Sequence, residues 1–338
     1  MMNRLCSLII LIFILVALSG CAIAPVADSD DLKIALSPET QQTASPTPTA
    51  NIQQPTPPES SWNPDYEDIR ANFPSIDGSN PTLQLEVAVR TCIFDADNAL
   101  KAAHTSTYES FQRLLPDSDN PVDMVLATDY SESYMQQAAE MGANLAQIPI
   151  AIEGFVFFVN ASNPVKSISQ DNLRRIYSGE ITNWSELGGN DAPILAYQRN
   201  KESGSYAEMA RFMGDVPLKD AEEQLCISGM GTIVEVVADP ESGANAIGYN
   251  VYSFTTKQYV PISGEIRLLA IDGVAPNDAT LGNGSYPLQS YFYSYYNRNN
   301  TKASKRAKML TDWLLSTDGQ RIIASVGYIN LDGDIDTT

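Results

Sequence analysis

Several segments of this chain repeat one pattern, a small polar loop that opens a helix-spaced apolar stretch, and that rhythm restricts the fold more than any single residue does. Asp77-Gly78-Ser79-Asn80-Pro81 precedes Leu83, Leu85, Val89 and Cys92, with Pro81 where a first helical turn tolerates proline. Thr105-Ser106-Thr107 precedes Tyr108, Ser110 and Phe111 and runs on to Leu114 and Leu115. Residues 122–126 read as a short apolar strand, after which Thr128-Asp129-Tyr130-Ser131 opens a helix to Met141. Ser203-Gly204-Ser205 opens another through Met209 and Phe212. Strand, polar loop and helix in succession predict an α/β fold, whose ligands bind beyond the carboxyl ends of its strands.

The last of these loops carries the most chemistry. Arg199 stands four residues before Ser203-Gly204-Ser205. A helix start offers unpaired N–H groups and a partial positive charge, glycine admits a ligand close to the backbone, and serines add adjustable donors. Together with a permanent cation, this set suits a small oxyanion. The same tripeptide is also ordinary helix-cap and turn chemistry.

The N-terminus points to the compartment. Arg4, an apolar run over 8–18 and then Ser19, Gly20 and Cys21 read as a secretory signal peptide over 1–20, with an h-region too short to span a membrane. Leu18-Ser19-Gly20-Cys21 resembles a bacterial lipobox, which makes Cys21 the expected lipidated N-terminus and the protein one anchored on the extracytoplasmic face of the cell membrane. Residues 21–61, rich in Pro, Thr, Ser and Gln, read as an extended tether.

From Trp62 onward the length suffices for one large domain or two lobes. The formal net charge of −20 argues against nucleic acid and acidic membrane surfaces. It does not argue strongly against an anionic ligand, because salt confines mean charge to a Debye length of roughly 8–10 Å. His104 is the single histidine, and no CxxC is present, so neither a zinc site nor any other metal or cofactor is expected. Asp332-Gly333-Asp334-Ile335-Asp336 lacks the distal Glu and the helix of a calcium loop. Cys92 and Cys226 remain as a disulfide or as two thiols, and the helical spacing of Leu85, Val89, Cys92 and Ile93 favours a core thiol for Cys92. Further strands are expected over 154–160, 246–249, 266–271 and 286–296, and helices over 169–177, 304–315 and 320–326.

Taken in order, Asp77-Gly78-Ser79, residues 123–129, 155–165 and 176–184, Gln198-Arg199 to Ser205, Ala246-Ile247-Gly248-Tyr249, Ile271-Asp272-Gly273-Val274, Tyr286-Pro287-Leu288, Gly319-Gln320 and Gly327-Tyr328 resemble the phosphate-binding proteins of bacterial ABC importers. The resemblance covers about 73–331 and implies the α/β, two-lobed type II periplasmic-binding-protein fold, with the ligand cleft between lobes. It places lobe I at 62–153 and 247–338 and lobe II at 154–246, with 155–159 and 247–249 as crossing strands. It implies no catalytic residues, and the expected partners are inorganic phosphate and a membrane permease, with the protein itself a monomer. A surface sensor or adhesin of the same fold, a binder of another oxyanion and, lastly, a phosphoesterase are the alternatives.

By the same resemblance the anion contacts are Ser79, Asn80, Ser106 or Thr107, Asp129, Arg199, Ser203, Gly204 and Ser205. Asn80 and Ser205 stand where many members have threonine. Asp129 is the expected acceptor of a phosphate O–H, which would exclude unprotonated sulfate by repulsion.

Overall fold

The computed structural model describes residues 66–94, 96–259 and 265–331. The signal segment, Cys21, the tether, the first residues of lobe I and the Asp332–Asp336 stretch lie outside the described residues.

Among the described residues eleven strands follow in chain order: β1 Ile76–Gly78, β2 Met124–Ala127, β3 Leu145–Asn160, β4 Ser167–Ile168, β5 Leu195–Ala196, β6 Gln198–Arg199, β7 Cys226–Ile227, β8 Ala246–Val251, β9 Ile266–Leu268, β10 Ala270–Ile271 and β11 Gln289–Asn297. β3 is the spine, at 16 residues. Its first half pairs antiparallel with β11 and its second half with β8, so one strand belongs to two sheet halves. The main sheet runs β1-β2-β11-β3-β8-β5, with β9 also on β3. β1 and β2 are parallel, and both end at the same edge. β6 and β7 form a separate parallel ladder that pairs Arg199 with Ile227.

The composition of β3 explains its course. Phe155, Val156, Phe157, Phe158 and Val159 are β-branched or aromatic and all buried, as a strand covered on both faces requires. Pro149 has no N–H to give the ladder, and the register against β11 slips beside it, between Phe292 and Tyr293.

Helices cover both halves. Leu85, Val89 and Ile93 from the Leu83–Ile93 helix pack with Met124, Phe292 and Trp313 in one core. Phe155 and Phe157 pack with Tyr177, Trp184, Met209, Phe212 and Tyr249 in another. Cys92 is half-buried and Cys226 exposed, and both are free thiols, so the disulfide alternative does not hold.

The two segments expected as crossing strands, 155–159 and 247–249, pair with each other. β8 pairs throughout with the second half of β3, and Leu269, Ile271, Leu281 and Tyr286 join the same core as Phe155. The chain returns to the first half of the sheet with β11. The apolar run 246–249 announces a strand but does not say which neighbour it chooses.

Glu153 sits in β3 at the junction of the halves, buried. Its carboxylate accepts from the N–H of Gly154 at 2.8 Å and of Ser253 at 3.0 Å, and from the Ser253 hydroxyl. Burial pushes its pKa up to about 7 from 4.5, against those hydrogen bonds. Between these two values the folded chain holds a proton that the unfolded chain has released, so stability falls as pH rises through that window. The penalty at higher pH is at most about 3 kcal/mol. Urea unfolding at pH 5 and pH 8 should therefore show a smaller loss of stability for Glu153→Gln than for the wild type; equal losses would contradict this.

Candidate functional site

The loops that follow β1, β2 and β6 meet at a cavity of about 460 Å³. Ser79, Asn80, Ser106, Thr107, Arg199, Ser203, Gly204 and Ser205 all line it, together with Thr128 and Asn200. Eight of the nine residues expected at the site are thus brought together, and Asp129 is not among them.

The loop after β1 is held by buried charge. Asp77 accepts from the N–H of Gly78 at 2.7 Å, from the N–H and hydroxyl of Thr105 at 2.8 and 2.9 Å, and from Arg113 at 2.6 Å. It therefore ties the Ser79 turn to the Ser106-Thr107 loop. His104, its side chain buried, places Nδ1 2.9 Å from the Ser79 carbonyl oxygen and Nε2 2.8 Å from Glu86, which also accepts from Arg90 at 2.6 Å. The single histidine is thus a strut of the first loop. A Cβ on Gly78 would come 2.2 Å from the Leu126 carbonyl oxygen and 2.7 Å from the His104 ring, so this close approach needs glycine.

Two serines are helix caps. Ser106 accepts from the Glu109 N–H at 3.1 Å and Ser203 from the Tyr206 N–H at 3.1 Å. A capping hydroxyl uses its oxygen and keeps its proton free to donate, so capping and ligand contact are compatible. Of the two residues left open in the second loop, Thr107 is the buried one. Its hydroxyl and that of Thr128 converge on Gly204, where an added Cβ would lie 2.8 and 2.6 Å from them. Ser205 donates to the Asn250 side-chain oxygen at 3.3 Å.

Arg199 is 5% exposed. Its Nε donates to the Ile227 carbonyl at 3.0 Å and its Nη2 to the Ser228 carbonyl at 2.8 Å, while the Tyr249 hydroxyl accepts from its backbone N–H at 2.9 Å. Burial lowers its pKa to about 10, which leaves it charged at neutral pH. Its Nη1 is buried without a protein partner, as are Ser79 Oγ, Thr128 Oγ1 and Asn200 Oδ1. All four residues line this one cavity. Buried polar atoms left unpaired are costly, and a cluster of them around one space marks a place built for a polar guest.

Asp129 departs from expectation. Its carboxylate accepts from Gln147 Nε2 at 2.6 Å, pairs with Arg211, and lines a neighbouring cavity with those two residues. Thr128, one residue earlier, takes the position on the first cavity. Thr128 and Asn200 line the cavity as well, and both lie within loops that read as polar in the sequence.

A family model described as a PBP superfamily domain matches residues 94–318. This chain belongs to the PBP superfamily. The phosphate-binding protein PstS of Bacillus subtilis (strain 168) is 33% identical over 181 residues, 53% of this chain and 56% of that protein. PstS of Borreliella burgdorferi is 24% identical over 208 residues, 60% of this chain and 71% of that protein. The chain thus spans little more than half the length of the first of these curated relatives. Among solved structures, a putative phosphate ABC transporter substrate-binding protein with bound phosphate from Clostridium perfringens superposes with a TM-score of 0.59 at 24% identity, covering 76% of this chain and 98% of that one. An ABC-type phosphate transport receptor from Vibrio cholerae gives 0.56 at 22%, covering 75% and 98%. These likenesses show the PBP fold, as the two sheet halves joined through β3 indicate.

In this PBP-superfamily chain the Gly204 contact is a wall-to-wall fit. Alanine at a helix start would ordinarily stabilise slightly. Here Gly204→Ala should lower thermal stability instead, by about 1–3 kcal/mol, because Thr107 and Thr128 must give way. A neutral or raised melting temperature would show that the two walls are looser than described.

Proposed function

We propose that this chain is the extracytoplasmic solute-binding component of an ABC importer and that it captures inorganic phosphate in the cavity at Arg199. The observation that carries this reading is the convergence of four unpartnered buried polar atoms, one of them on a permanent cation, at the start of two helices. The relatives named PstS support phosphate as the anion. Ser79, Thr107, Thr128 and the backbone N–H groups of Gly204 and Ser205 would donate to its oxygens, and Arg199 Nη1 would supply the charge-assisted bond. Asn80, Ser106, Ser203 and Ser205 complete the wall.

Phosphate near neutral pH carries one or two protons, sulfate none. Asn200 Oδ1 is the only one of the four unpartnered atoms that can act solely as an acceptor. In this reading it accepts the phosphate O–H, and an unprotonated anion leaves it unsatisfied. Binding needs no reacting group, and the site residues act as donors and one acceptor. Delivery to a permease, the signal peptide and the lipid anchor at Cys21 are part of the proposal; they agree with a body meant to work at the outer face of a membrane.

Calorimetric titration of the purified protein should give saturable phosphate binding and little response to sulfate. An absence of heat with phosphate would end this reading. Arg199→Ala should weaken phosphate by about one to two orders of magnitude, the size of a hydrogen bond to a charged group. Asn200→Ala should narrow the preference for phosphate over sulfate; an unchanged preference would remove Asn200 from the role of proton acceptor.

A further inference from the structure

Asp129 is engaged by a partner from another element, Arg211. Arg211 lies on the Gly204–Met213 helix, whose first turn forms one wall of the cavity. Asp129 directly follows Thr128, which forms part of the opposite wall. The Arg211–Asp129 pair therefore ties together the two elements between which the cavity lies. Arg211 also pairs with Glu208, whose side chain is 1% exposed and whose Oε1 has no partner. Arg211 is the cation that favours the charged form of Glu208 against burial, which pushes its pKa up to about 7.

We propose that Arg211 is a positioning residue for the anion cavity: its pair with Asp129 latches the Gly204–Met213 helix against the Thr128 loop and so sets the spacing of the walls. The proposal rests on the phosphate reading given above. It assigns Asp129 an effect on affinity that acts through closure and not through contact with the ligand.

The two roles differ in what they do to selectivity. A carboxylate that touches the ligand repels an unprotonated anion, so its loss admits sulfate. A latch favours the closed form whichever anion lies inside, so its loss weakens binding without altering the preference. Arg211 is 48% and Asp129 23% exposed at the side chain, so solvent screens the pair and the effect is modest, about two- to fivefold in Kd.

The test is a calorimetric cycle on the full chain with inorganic phosphate, using Asp129→Asn, Arg211→Gln, the double variant and Arg211→Lys, each repeated with excess sulfate as competitor. The latch requires each single neutral variant to bind phosphate about two- to fivefold more weakly and the double to be no worse than the weaker single, with no gain in sulfate competition. Arg211→Lys should restore most of the affinity, which a general loss of folding would not allow. Sulfate competition appearing in Asp129→Asn but not in Arg211→Gln would make Asp129 a ligand contact and overturn the proposal, as would wild-type affinity in Arg211→Gln. A wild type that binds phosphate beside unaffected variants defeats the latch alone; a wild type that binds no phosphate defeats the reading beneath it as well.

Discussion

Arg199 is a charge taken out of water and only partly compensated. Two carbonyl oxygens, from Ile227 and Ser228, accept from its Nε and Nη2. Both neighbours carry no charge, so the guanidinium has no counter-ion among its hydrogen-bond partners, and its Nη1 has none at all. Burying a cation on such terms is unfavourable, and the surrounding structure must hold it there. The β6–β7 ladder does so from behind, and Tyr249 fixes the backbone at Arg199 itself. An anion at Nη1 is the partner that would complete the environment. Much of the rest of the structure serves to bring neutral donors to that same point.

Those donors come from loops that would not keep their shape alone. Asp77 and Glu86 are buried carboxylates, each bound by an arginine and by neighbouring loop groups. Through Thr105 and His104 they fix Ser79 and Thr107 before any ligand arrives, which reduces the ordering cost of binding. The spine strand has the complementary task. β3 passes from one sheet half to the other at Glu153 and Gly154, so the two cavity walls are carried on bodies that share one continuous strand. Ion pairing at Arg211 and close contact at Gly204 then join the walls from the front.

Much of this was legible in local sequence. Ser106, Ser131 and Ser203 all cap helices where the polar loops announced them, because capping depends on residues three positions apart. Arg199 and the Ser203–Ser205 stretch line one cavity, as their spacing implied. The first half of β3 was missed because Gln147, Pro149 and Glu153 break its apolar run, and only pairing with β11 makes it a strand. The choice between Thr128 and Asp129 was not readable either. It depends on Arg211, which lies 82 residues further along the chain, and on Gln147.

A structure determined with phosphate tests the central claim most directly, because the claim concerns which atoms the anion completes. Phosphate oxygens should lie within hydrogen-bonding distance of Arg199 Nη1, Ser79 Oγ, Thr128 Oγ1 and Asn200 Oδ1, with Asp129 still paired to Arg211. Phosphate bound elsewhere, or bound in this cavity with Arg199 Nη1 left unpartnered, would contradict the account.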